Sequence, residues 1–212
     1  MSSKSKLIIN CGATHISASE FGVSAGRLVL ESFQVQELKY DYSNQEEWLS
    51  ELAATLKMMR VSGKATVIAP SMLLLTKTIK IPHVDEARRA EVIQFEAEKN
   101  IPYPINEVSW DYEIISDDGV ETEIFLTSMK STAADDFCMA LSQAGVIPES
   151  IEASSILDYN AWKYCGLEND VILLNVGSRF TNLMIAREDG VFVRSIPVGG
   201  NSITQAVADS LG

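Results

Sequence analysis

Histidine and cysteine are scarce in this sequence, with two and three copies in 212 residues. The cysteines (Cys11, Cys138, Cys165) are odd in number, lie in apolar company and form no Cys-x-x-Cys. A disulfide framework and a Cys/His zinc site are therefore excluded, and reduced core thiols in a cytosolic protein are expected. His15 and His83 stand apart with no metal-ligand spacing. No apolar run approaches the ~20 residues that a membrane span requires. After the polar start 1–6 only Leu7-Ile8-Ile9 follows, too short for a signal peptide, so a cytoplasmic chain that does not span the membrane is expected. Positive charge is also short: 17 Lys and Arg against 29 Asp and Glu leave a net charge of −12. That balance excludes a nucleic-acid surface, which needs basic patches to replace phosphate counterions. Neither a Walker loop nor a Gly-x-Gly-x-x-Gly fingerprint occurs.

What is present is 46% hydrophobic and 22% charged, an ordinary globular balance in a length sufficient for one or two domains. The acid is uneven. Between His83 and Glu123 there are 12 Asp and Glu against 3 Lys and Arg. Such a run reads first as a solvated face and second as a docking surface for a basic partner. Glu96, Glu98, Glu107 and Asp111 belong to it and read as solvated rather than hydrolytic. Trp48, Trp110 and Trp162, with no basic groove around them, read as core.

The strongest organising signal is a repeat. Leu7-Ile8-Ile9-Asn10-Cys11-Gly12-Ala13, followed by the strand Ile16–Phe21, matches Leu173-Leu174-Asn175-Val176-Gly177-Ser178, followed by Thr181–Ala186. In each copy a buried-type strand runs into a loop of small residues and a second strand returns. Gly12 and Gly177 then serve either tight turns or phosphate loops.

Around the first copy, strands are expected at Lys6–Ile9, Ile16–Phe21 and Arg27–Glu37, with the loop Asn10–Thr14 and a turn over Gly22–Gly26. Ser43 three residues before Glu46 reads as a capping box. The helix after it carries Leu49, Leu52, Leu56 and Met59 on one face. Gly63 ends that turn, and Ala65–Ala69 is a buried strand stopped by Pro70. A different unit begins there. Thr76–Ile81 alternates as a half-exposed strand. Asp85-Glu86 opens a helix with Ala87, Ala90, Ile93, Ala97 and Ile101 on or near one face, which Pro102-Tyr103-Pro104 ends. Trp110–Ile115 and Glu123–Met129 are strands around Asp117-Asp118-Gly119, and Ser131 caps a helix that buries Phe137, Leu141 and Ala144 and stops at Gly145. Ile147–Ala153 and the helix Ser154–Tyr164 lead to the second copy, which reads as three strands with a turn over Arg187-Glu188-Asp189-Gly190. A helix opens near Asn201 or Ser202, after Gly199-Gly200.

Several runs carry a family resemblance: Thr78-Ile79-Lys80-Ile81-Pro82, Phe95-Glu96-Ala97-Glu98-Lys99-Asn100-Ile101-Pro102-Tyr103-Pro104-Ile105, and Pro197-Val198-Gly199-Gly200-Asn201 with Thr204 and Ala206. Together they resemble the type IV pilus assembly protein PilM family, actin-like relatives of the cell-division protein FtsA, over essentially the whole chain. The resemblance implies an α/β, actin-like (ribonuclease-H-like) ATPase fold. Subdomain IA is expected at 1–71 and 147–170, an inserted FtsA-type subdomain IC at 72–146, and the first part of subdomain IIA at 171–212. The family continues through the rest of IIA and subdomain IIB, so this chain is expected to be a truncated portion of a longer one, with a naturally halved paralogue as the alternative.

The resemblance also implies sites. The two loops correspond to phosphate-binding hairpins of an ATP cleft, which assigns Asn10, Gly12, Ala13 and Thr14 with Asn175, Gly177, Ser178, Arg179, Thr181, Gly199 and Gly200 to nucleotide binding. The implied ligand is ATP or ADP with magnesium in the longer chain. The family pattern at each loop is Asp-x-Gly, and both aspartates are asparagines here. Asn keeps the size but loses the charge that holds hydrated magnesium, which weakens magnesium binding and hydrolysis more than phosphate binding. Arg179, where a small residue is expected, either fills the phosphate position or reaches a phosphate as a cation. The partner implied is a PilN-like bitopic inner-membrane protein, whose cytoplasmic tail lies in a groove between IA and IC, here assigned to Phe95, Ile101, Pro102, Tyr103 and Pro104. The assembly ATPase and further copies of the chain are additional expected contacts. The expectation is thus a scaffold with a degenerate nucleotide cleft, peripheral to the inner membrane through its partner. An active ATPase or sugar-kinase-like enzyme and an FtsA-like filament former are the rivals.

Overall fold

The computed structural model describes residues 5–40, 44–166, 170–187 and 190–212. In chain order the first elements are β1 (Lys6–Cys11), β2 (His15–Ser24), β3 (Arg27–Glu37), α1 (Gln45–Met58), β4 (Gly63–Ala69) and β5 (Leu75–Pro82). There follow α2 (Glu86–Asn100), β6 (Val108–Asp117), β7 (Glu121–Lys130), α3 (Ser131–Gln143), β8 (Val146–Ala153) and α4 (Ser154–Cys165). The chain closes with β9 (Val171–Val176), β10 (Thr181–Arg187), β11 (Gly190–Ile196) and α5 (Gly200–Leu211). It forms two compact units, 1–72 with 134–152 and 73–133 with 153–212.

The first unit is a five-stranded sheet in the order β3-β2-β1-β4-β8. β1 pairs antiparallel with β2 and parallel with β4, since the chain crosses through α1 before returning. The expected turn over Gly22–Gly26 is narrower: Ser24 already pairs with Arg27, and Ala25 and Gly26 both take positive φ (50° and 75°). A two-residue turn of that hand matches strand twist, so β2 runs on to Ser24. The cap of α1 is Asn44, whose side-chain Oδ1 accepts from the N–H groups of Glu46 and Glu47 (3.0 and 3.3 Å). Ser43 of the expected capping box lies outside the described residues. The buried face of α1 centres on Trp48, Leu52 and Leu56, while Leu49 and Met59 are half-buried. Trp48 stacks on Phe137 of α3 at 5.9 Å between ring centroids.

In the second unit β7 is the central strand of the sheet β5-β7-β6. Thr122 to Leu126 are buried in succession, so both faces of the strand are covered although Thr122 and Glu123 are polar. Ile124 packs with Ile81 and Ile93, and Leu126 with Ala97, Ile101 and Val108. Ala87 and Ala90 are exposed, and the fully buried positions of α2 are Ile93 and Ala97. Phe125 enters the other cluster, with Ile156, Tyr159 and Trp162 of α4 and Met184, Val191 and Val193 of the sheet β11-β10-β9. Buried Glu123 (7% exposed) spans this junction, accepting from the Val191 N–H at 3.1 and 3.3 Å. Residues 188–189 of the expected last turn, and 167–169 of the link before β9, lie outside the described residues. Cys11 is buried, which pushes its thiol pKa up, and Cys138 is partly so; Cys165 is exposed at the end of α4, contrary to a core role.

At the β6–β7 turn the Asp117 carboxylate accepts from the Gly119 N–H (3.1 Å) and Arg89 (3.2 Å) and contacts His83 Nδ1 (2.8 Å). The Gly119 and His83 contacts hold its pKa below the ordinary carboxylate range. A depressed folded pKa contributes stability above the unfolded value of about 3.9 and loses it as pH falls through the folded value. Asp117→Asn should therefore lower Tm at pH 7, and the difference from the parent should close by about pH 2. A difference that stays constant with pH contradicts this assignment.

Candidate functional site

The two repeat hairpins have one geometry. Cys11 pairs with Ile16 across the first, and Val176 pairs with Thr181 across the second, so each encloses four residues. Both asparagines lie within strands rather than in the loops: Asn10 faces Ser17, and Asn175 faces Asn182. The N–H of Gly12 donates to the carbonyl of His15, and that of Gly177 to Phe180, each at 2.9 Å. A Cβ would stand 2.7 Å from the carbonyl oxygen at Gly12 and 2.9 Å at Gly177, closer than real Cβ atoms come. Glycine at both positions is thus a steric requirement of the closing hydrogen bond.

The hairpin carbonyls are drawn into the protein by different donors. In the first, Gly12 O accepts from Trp48 Nε1 (3.3 Å), Ala13 O from the Tyr40 hydroxyl (2.6 Å) and Thr14 O from the Leu38 N–H (2.7 Å). In the second, Gly177 O accepts from the Gly200 N–H (2.9 Å) and Ser178 O from the Asn201 N–H (2.8 Å). In a trans peptide the C=O and the following N–H point in opposite directions. Fixing the first two carbonyls of each hairpin therefore turns two successive N–H groups the other way, those of Ala13 and Thr14 and those of Ser178 and Arg179. Successive N–H groups of that kind make a concavity that favours anions.

The side chains are less free. The buried Thr14 hydroxyl lies 2.9 Å from His15 Nδ1. Thr181 donates to Val198 O at 2.7 Å, which holds the chain entering α5 against the hairpin. A Cβ on Gly199 would be 2.5–2.7 Å from the backbone of Gly177, Ser178 and Arg179, so Gly199 permits that approach. At Gly200 the nearest atom would be 3.8 Å away. The two glycines of one motif thus differ in role.

One residue that the sequence reading did not single out stands at the second hairpin. Asp158 of α4 accepts from Asn175 Nδ2 through both oxygens (2.9 and 3.2 Å). Behind it Asn182 donates to Ser154 Oγ and accepts from Ser195 Oγ, each at 2.7 Å. Burial raises the Asp158 pKa, opposed in part by the donors of Asn175 and Asn182. The i, i+4 spacing of Ser154 and Asp158 on a helix start was the available signal, and nothing local linked it to Asn175. The donor set does not fit magnesium. Positions 10 and 175 are uncharged asparagines, both Asp158 oxygens accept from the Asn175 amide, and no group of three or more His, Cys, Asp or Glu among the described residues would hold a metal.

The remaining candidates follow α2. Phe95 is 57% and Tyr103 40% exposed, with Lys99 Nζ 3.9 Å from the Phe95 ring centroid and Lys130 Nζ 4.3 Å from that of Tyr103. Pro102 and Pro104 are exposed. Ile101, at 4%, belongs to the interior with Ala97, Val108 and Leu126 and does not face a partner.

The family model described as type IV pilus assembly protein PilM matches residues 9–212. The chain belongs to that family. Among curated proteins, none matches. A solved structure of a PilM-PilN type IV pilus biogenesis complex is similar with a TM-score of 0.79 at 21% identity, over 97% of this chain and 65% of that one. The chain therefore spans less than two thirds of that relative. A Bacteroides thetaiotaomicron protein with an actin-like ATPase fold and unknown function gives 0.56 at 8% identity, covering 99% and 76%. An exopolyphosphatase from Cytophaga hutchinsonii gives 0.51 at 11% identity, covering 96% and 53%. At such identities these likenesses show the fold, which is actin-like. No helix among the described residues is long and apolar enough to cross a membrane.

Gly199→Ala should cost about 1–3 kcal/mol in urea unfolding, as overpacking against backbone does. Gly200→Ala should lie within about 0.5 kcal/mol of the parent. Equal effects at the two positions contradict the close-approach argument.

Proposed function

We propose that this chain is a recognition scaffold of a type IV pilus or related secretion-type assembly platform, on the cytoplasmic face of the inner membrane. Its ligand in this reading is the N-terminal tail of a PilN-like bitopic membrane protein. Family membership supports it, as does likeness to a PilM solved with PilN. The observation that carries it is the surface following α2. There Phe95 on α2 and Tyr103 in the proline-punctuated bend after it are exposed aromatic side chains. A concavity of ≈ 650 Å³ lined by Arg88, Glu91, Val92, Gln94, Phe95 and Glu98 suits an apolar side chain flanked by charge.

Each hairpin, taken by itself, reads as a degenerate phosphate loop. Their paired N–H groups hold phosphate weakly, and uncharged asparagines at positions 10 and 175 are poor groups for holding magnesium and orienting water. The chain is then a binding protein and not an ATPase.

Ile101 is unsuitable as a test because a charge there would disrupt the interior. Phe95→Glu and Tyr103→Ala leave the core intact, which circular dichroism checks. Each should weaken binding of a synthetic PilN-type tail peptide, measured by fluorescence anisotropy, about tenfold or more, the usual effect of losing an aromatic anchor. Unchanged affinity in both variants overturns the assignment.

A further inference from the structure

The row Asn175, Asn182 and Ser195 runs straight across the three strands β9, β10 and β11, each residue the register partner of the next. α4 lies over it with Ser154 on Asn182 and Asp158 on Asn175. Because Nδ2 of Asn175 reaches both carboxylate oxygens, the orientation of its amide is decided. A carbonyl oxygen cannot face a carboxylate, so Oδ1 is turned away from Asp158. Among the described residues Oδ1 of Asn175 has no hydrogen-bond partner. A carboxylate at position 175 would place two negative groups about 3 Å apart, an arrangement in which both cannot stay ionised.

We infer that Asp158 dictates the amide at position 175 and thereby sets the ligand preference of the second hairpin toward anions without a divalent cation. The negative charge of this site is carried by α4, where it clamps Asn175, instead of by β9, where it would face the ligand. Asp158 is a positioning and specificity-determining residue that acts through Asn175. Exchanging the two side chains keeps one donor–acceptor pair and moves the charge to the hairpin. This inference rests on the reading of the hairpin as a phosphate site.

The test is a double-mutant cycle of Asp158→Asn, Asn175→Asp and the exchange carrying both, on the whole chain. Tm without ligand and ATP affinity by calorimetry, in magnesium and in EDTA, are the readouts. Asn175→Asp should lower Tm by about 5 °C or more, and the exchange should recover most of that loss, a strongly non-additive result. ATP binding by the exchanged chain should gain at least about tenfold from magnesium, while the parent changes by less than about threefold. A purely structural role for Asp158 would reproduce the Tm pattern and leave the magnesium response unmoved, which overturns the specificity assignment. Additive Tm changes overturn the clamp itself. If the parent binds no ATP, the phosphate reading fails and the ligand preference falls with it, while the ligand-free cycle still decides the clamp.

Discussion

The constraint on which the site depends is the hydrogen bond from a glycine N–H to the carbonyl three residues later. It closes both hairpins at the same distance, and in both it brings that carbonyl too near for a side chain at the glycine. Everything else at the hairpins follows from where the other carbonyls go. The first hairpin is fixed by an indole, a phenol and the chain after β3; the second is fixed by the start of α5. Different donors thus impose one backbone arrangement, and what the two copies share is peptide geometry.

Backbone donors do not depend on the side chains before them, so the arrangement of the hairpin N–H groups does not require a particular residue at position 10 or 175. At the second hairpin a carboxylate stands next to the asparagine in Asp158, half-buried and tied to it. The second unit is built to hold α4 in place, since Tyr159 and Trp162 fill the interior between Phe125 of β7 and the β9–β11 sheet. The helix that carries Asp158 is therefore anchored by apolar burial on the same turns.

Much of the fold was legible in the sequence because its signals are local. The repeated strand–Gly–strand pattern located both hairpins, and Arg27–Glu37 is one of the strands found with the expected bounds. What was not legible depends on tertiary contact. Asn44 is as good a cap as Ser43 by residue type, and its role shows only in its hydrogen bonds to Glu46 and Glu47. Ile101 sits in a proline-punctuated run that reads as surface, yet it closes the α2–β7 interior. Leu49 and Met59 fit the helical period as well as Trp48 does, and the position of α3 decides which side faces in. Asp158 lies 17 residues from Asn175 with no periodicity connecting them. Of the candidate site, the glycines could be read as turn or loop positions, whereas the carbonyl that crowds each of them and the donors to the hairpin carbonyls could not.

The central claim is that these hairpins hold phosphate through backbone N–H groups with no metal. Calorimetric titration of ATP into the protein at near-physiological salt, in millimolar magnesium and again in EDTA, tests it most directly. The account predicts weak binding whose affinity differs by less than about threefold, under 1 kcal/mol, between the two conditions. Binding that appears only with magnesium would contradict it, and would mean that the asparagines support a metal site after all.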